Sequence, residues 1–177
     1  MTRMTPAALG AACLAAVAAA PALVVPALAH VTLDTAQAPA LGYVRVAVRV
    51  PHGCEGAATT GLRLQVPEGV TAVKPQPKPG WTLTVVPDEA PPAAGGHDAG
   101  PAVREVAWRG GPLPDAFYDE FVLRVRMPDG AGQTVWFPFV QECEGGKVSR
   151  WIERPAEGQA LDQLRMPAYP VKLVPRS

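Results

Sequence analysis

Val44-Arg45-Val46-Ala47-Val48-Arg49-Val50 places a valine at every second position, with two arginines and an alanine between them. Side chains of a strand point alternately to opposite faces, so a repeat of two predicts a half-buried β-strand here. The alternation recurs downstream. Leu62, Leu64 and Val66 alternate with Arg63 and Gln65, and Phe121, Leu123, Val125 and Met127 alternate with Val122, Arg124 and Arg126. Shorter candidates run over 81–86, 103–108, 135–140 and 148–152. Between them stand turn signals: Pro51-His52-Gly53, Pro67-Glu68-Gly69, Lys78-Pro79-Gly80, Pro128-Asp129-Gly130 and Glu144-Gly145-Gly146.

No segment carries the period of a long amphipathic helix, and 21 prolines and 17 glycines disfavour one. A short turn near Ala156 to Arg165 is the most helix the sequence predicts. Short strands at this spacing imply an all-β fold of about seven or more strands, with a β-sandwich preferred over a barrel. A chain of 177 residues that is 48% hydrophobic closes one core, so a single domain is expected. Glu89 to Pro101, built around Pro-Pro-Ala-Ala-Gly-Gly, holds too few apolar side chains to pack and reads as a hairpin loop.

Residues 1–29 begin with Arg3, continue through the alanine-rich run Ala7 to Ala20 and finish with Ala27-Leu28-Ala29, a small-x-small pattern for signal peptidase. Cleavage between Ala29 and His30 is expected, leaving residues 30–177 as a periplasmic or secreted domain. Cys13 reads as part of the apolar core of the signal, since Gly10, Ala11 and Ala12 lack the large aliphatic residue of a lipoprotein site. The C-terminal run Pro170 to Ser177 carries no hydrophobic anchor. The full chain has 16 basic and 16 acidic side chains; without Arg3 the balance is 15 to 16, a formal charge of −1. That balance argues against nucleic acid or anionic lipid as a partner. Cleavage leaves Cys54 and Cys143, and in an oxidising compartment two cysteines imply one intramolecular disulfide.

The new first residue, His30, would carry a free α-amine and an imidazole Nδ1 that can chelate one metal in a six-membered ring. Solution pKa values of about 7.7 to 8.0 and about 6.5 let a strongly Lewis-acidic ion displace both protons near neutral pH. Copper(II) tops the divalent affinity order and accepts such nitrogen-rich tetragonal sites. By position alone, His30 is equally a first residue without a role.

Several motifs, in order, decide between these. They are Ala29-His30-Val31-Thr32; Val50-Pro51-His52-Gly53-Cys54 with Gly56; Lys74-Pro75-Gln76-Pro77-Lys78-Pro79-Gly80-Trp81; Tyr118-Asp119-Glu120-Phe121; Phe137-Pro138-Phe139-Val140-Gln141-Glu142-Cys143; and Trp151 before Pro155. In these the chain resembles the YcnI-like copper-binding family, also called domain of unknown function 1775, over essentially all of residues 30–177. The resemblance implies an immunoglobulin- or cupredoxin-like sandwich that holds copper(II) through a single-histidine brace, with a glutamate and a tryptophan nearby. Carried over by motif, the residues are His30, Glu120 and Trp151. Glu120 would supply an anionic oxygen, with its neighbour Asp119 as competitor if the strand register differs by one. A neutral indole is no nitrogen donor, so Trp151 would shield the ion; Trp81, Trp108 and Trp136 compete for that place. His52 reads as structural or surface, and His97 as an exposed loop residue.

The leading expectation is an exported copper-binding protein for periplasmic storage, uptake or delivery, with copper chaperones or importers as partners and no enzymatic activity. A copper-dependent oxidase is the first alternative, but the second histidine of such sites is offered only by His52 and His97. The second alternative is an immunoglobulin-like interaction module without a metal role. No Ser-His-Asp order, phosphate loop or nucleic-acid patch stands out.

Overall fold

The computed structural model describes residues 31–89 and 101–176, and the expected signal peptide, His30 and His97 lie outside them. The described strands are β1 (Thr32–Leu33), β2 (Gln37–Pro39), β3 (Tyr43–Val50), β4 (Thr59–Gln65), β5 (Thr71–Pro75), β6 (Trp81–Pro87), β7 (Val103–Leu113), β8 (Asp119–Arg126), β9 (Thr134–Phe137), β10 (Phe139–Cys143), β11 (Val148–Trp151) and β12 (Tyr169–Val174). They form three ladders, in the orders β1-β3-β8-β5, β11-β10-β4-β7-β6 and β2-β12-β9. The second and third run on into each other through Phe137-Pro138-Phe139. Proline has no N–H to give a ladder, so the strand expected over 135–140 breaks there into β9 and β10. The Pro138 carbonyl still accepts a bond from the Gln65 N–H at 3.1 Å. Two layers result, the architecture the alternating sequence implied.

The alternation holds where the two layers face each other. Val46, Val48 and Val50 from β3 and Phe121, Leu123 and Val125 from β8 are buried at 1% exposure or less. They meet Leu62, Leu64, Val106, Trp108, Phe137 and Phe139 from the opposite layer. Aromatic edges cross the gap: the Phe121 ring lies 4.9 Å from Trp81 and 5.6 Å from Trp108, both T-shaped. Trp108 is fully buried, and its indole N–H donates to the Gln76 carbonyl at 3.0 Å. That bond ties the proline-rich run 74–80, which passes from one layer to the other, to the centre of the core.

β1, β2, β5 and β12 were not expected. β1 and β2 are too short to show a period, β5 pairs irregularly with β8, and β12 lies where Pro170 interrupts the pattern. The turn expected near 156–165 is a hydrogen-bonded turn, closed by the Gln159 N–H on the Ala156 carbonyl at 3.0 Å, followed by a single 3-10 turn over Leu161–Gln163. Cys54 and Cys143 form a disulfide with Cα atoms 5.9 Å apart, joining the turn after β3 to the end of β10. Beside it Gly53 is obligatory, since a Cβ there would lie 1.7 Å from the Ala57 carbonyl oxygen. Gln141, fully buried, bridges the same turn: its amide donates to the His52 carbonyl and to Thr59 Oγ1, both at 2.8 Å.

Candidate functional site

After β7 the chain turns at Pro114, whose carbonyl accepts the Phe117 N–H at 3.0 Å, and enters β8 through Tyr118-Asp119-Glu120. β8 runs antiparallel to β3 with Asp119 opposite Val50, Glu120 opposite Arg49 and Arg124 opposite Arg45. Since Phe121 points into the core, alternation turns Glu120 to the outer face of this layer. On the far side of β3, Thr32 of β1 stands opposite Arg49. Thr32, Arg49 and Glu120 therefore form one row across three strands, and Val31, just before that row, is buried at 1% exposure.

The Glu120 carboxylate is the hub of this row. Its Oε1 accepts the Tyr118 hydroxyl at 2.5 Å and lies 3.5 Å from Arg49 Nε, while Oε2 accepts from Arg45 Nη2 at 2.8 Å. Arg45 also pairs with Asp34, and Asp34 accepts the Ala47 N–H at 2.8 Å. The Tyr118 hydroxyl first, then the Arg45 guanidinium, stabilise the charged carboxylate and hold Glu120 below the usual glutamate pKa. The bond to Glu120 raises the Tyr118 pKa, keeping the phenol a neutral donor, and likewise raises that of Arg45. Asp119, one residue earlier, belongs to a different arrangement. Its Oδ1 accepts from Lys78 Nζ and from the Glu120 N–H, both within 2.8 Å, and the Lys78 ammonium sits 5.1 Å from the Phe121 ring centre.

Trp151 lies in β11 opposite Phe139, at 4% exposure, with the two rings 6.3 Å apart. It is part of the core wall of the second layer, whereas Glu120 stands on the outer face of the first. His52 is half-buried, with Nδ1 2.6 Å from the Gly53 carbonyl oxygen. Among the described residues no group of three or more His, Cys, Asp or Glu is placed to hold a metal ion. The residues missed from the sequence are Tyr118, Arg45, Arg49 and Asp34. The Arg-x-x-x-Arg spacing in β3 marked one outward face, but only the β3–β8 register reveals which carboxylate that face meets.

Three comparisons bear on this chain. A family profile described as "Domain of unknown function (DUF1775)" matches residues 30–173. A crystal structure of an uncharacterized protein from Nocardia farcinica, described as having an immunoglobulin-like fold, is 31% identical, covering 82% of this chain and 98% of that one with a TM-score of 0.64. The sixth cohesin of Acetivibrio cellulolyticus scaffoldin B, crystallised with a Cel5 dockerin mutant, covers 81% of this chain and 97% of that one. Its 9% identity and TM-score of 0.41 are too remote to carry an argument. No curated protein matches the chain.

Proposed function

The chain belongs to the DUF1775 family and has an immunoglobulin-like β-sandwich fold, and from that premise we propose that it is an exported protein that binds copper(II) at its processed N-terminus. In this reading residues 1–29 are removed as a signal peptide, and His30 contributes its α-amine and imidazole. Glu120 contributes a carboxylate oxygen, whereas Trp151, in the core of the opposite layer, packs the fold and does not meet this face. The protein stores, takes up or delivers copper in the periplasm or outside the cell, exchanging it with copper chaperones or importers, and catalyses no reaction.

The observation that carries the proposal is the row Thr32–Arg49–Glu120. Two strand spacings of about 4.8 Å put the Thr32 and Glu120 backbones roughly 10 Å apart, and His30 precedes Thr32 by two residues. The donor set fits a copper(II) ion: an amine and an imidazole by sequence, with an oxygen that is ionised without help from the metal. A cation at Glu120 would take the place of an arginine on one oxygen, while the Tyr118 hydroxyl or the remaining arginine could orient the other. Bound copper would supply charge and redox capacity; the residues around it bind and orient.

The test is a copper(II) titration followed by electron paramagnetic resonance on protein beginning at His30, beside the Glu120→Ala variant. The expected result is one equivalent with nitrogen hyperfine structure, weakened at least about tenfold by the substitution. Weak, multiple or substitution-insensitive binding would overturn the proposal and leave an interaction module as the reading.

A further inference from the structure

An outer strand exposes a row of unpaired N–H and C=O groups, and folds commonly keep such rows short, charged, bulged or covered. Most outer strands described here are treated in that way. β1 and β2 have two and three residues. β5 pairs irregularly and carries Lys74 and Pro75. The end of β11 is met by the returning chain, where the Met166 carbonyl accepts the Ile152 and Glu153 N–H groups at 3.0 and 3.1 Å. β6 differs, being Trp-Thr-Leu-Thr-Val-Val-Pro, seven residues without a charge, with Val85 43% exposed.

Two hydrogen bonds reveal which of its backbone groups face outward. The Val66 N–H donates to Arg104 at 2.9 Å, so in the β4–β7 register Arg104, Val106 and Trp108 turn their backbone groups toward β4. Glu105, Ala107 and Arg109 then face β6. In agreement, the Gly111 N–H donates to Gly80 at 3.0 Å, which commits Thr82, Thr84 and Val86 to β7. The N–H and C=O groups of Leu83 and Val85 point away from the sheet. The Trp81 N–H is already used by the Lys78 carbonyl at 3.0 Å, and Pro87 has no N–H. Leu83 and Val85 thus offer four groups, two donors and two acceptors, centred on Thr84, and the Trp81 carbonyl lies beyond them.

We infer that β6 pairs antiparallel with β6 of a second copy of this chain, about a two-fold axis at Thr84, joining the two five-stranded ladders into one sheet. Leu83 then stands opposite Val85 of the second copy and the reverse, so the N–H and C=O groups of both residues are matched on each side and Val85 is covered. One observation favours a copy of the same chain over a foreign peptide. A residue near a two-fold axis meets itself, so any charge in β6 would repel its twin, and β6 carries none.

The test uses the full exported chain in sedimentation equilibrium and light scattering up to about 100 μM, with the outer-face variants Thr84→Lys and Thr84→Glu. Expected is a dimer that each substitution alone weakens by roughly three- to tenfold and that an equimolar mixture of the two restores as a heterodimer. A wild-type chain that stays monomeric, a dimer indifferent to both substitutions, or a mixture that fails to recover would overturn the inference.

Discussion

Replacing Cys54 and Cys143 together with alanine should cost this fold a large part of its stability. The two sulfurs join positions 89 residues apart in sequence. In the chain-entropy account, freeing a closed loop of that length returns about 15 cal/mol/K to the unfolded chain, or about 4.6 kcal/mol at room temperature. The folded side loses less. Gln141 still bridges His52 and Thr59, and the Cys54 N–H still donates to the Ala57 carbonyl at 3.1 Å, so the turn keeps its shape. A net destabilisation of roughly 3–5 kcal/mol follows, corresponding to a fall of about 10–18 °C in melting temperature for a domain of this size. The assay is urea unfolding of wild type and double variant at pH 7, followed by tryptophan fluorescence, with melting curves alongside. The unfolded variant should also be more expanded, giving a steeper denaturant dependence. Because both cysteines are at least 95% buried, reductant should act on the wild type only as fast as it opens. A change below about 1 kcal/mol with an unaltered slope would refute the argument that the loop constraint is what the bond supplies.

Other outcomes follow from the same geometry. Gly53→Ala should destabilise the chain by roughly 2 kcal/mol or more, since its Cβ meets a carbonyl rather than a flexible side chain; unchanged urea midpoints would contradict this. Glu120 has a lowered folded pKa, so its ion pairs contribute stability above about pH 4.3, the ordinary glutamate value, and that contribution is lost as pH falls through the lower folded pKa. The gap in urea midpoint between wild type and Glu120→Gln should therefore close on acidification from pH 6 to about 3, and a constant gap would deny the network this role. Copper affinity, by contrast, should fall already below about pH 7, where the His30 amine and imidazole compete for protons; affinity flat from pH 8 to about 5 would exclude the terminal chelate. A methionine left ahead of His30 turns the amine into an amide and should abolish tight binding in the same titration.

Period-two alternation in β3, β4 and β8, together with Pro/Gly turns, determined by itself that this chain is all-β and favoured a sandwich over a barrel, and with Cys13 assigned to an expected signal segment the sequence left one pairing for Cys54 and Cys143. These are local properties: a strand's two faces and a turn's backbone demands are written within a few residues. The motifs that carry the family resemblance likewise lie in linear order. What only the tertiary structure decided is pairing between distant strands. β1 and β2 are strands because partners hold them, being too short for their own sequences to show a period. Glu120 meets Arg45 and Arg49 because β8 lies against β3 in one register; a slip of one residue would have turned Asp119 outward instead. The uncharged edge of β6 likewise became visible only once the strand order was known, because whether a strand lies inside a sheet or ends it depends on its neighbours and not on its own residues.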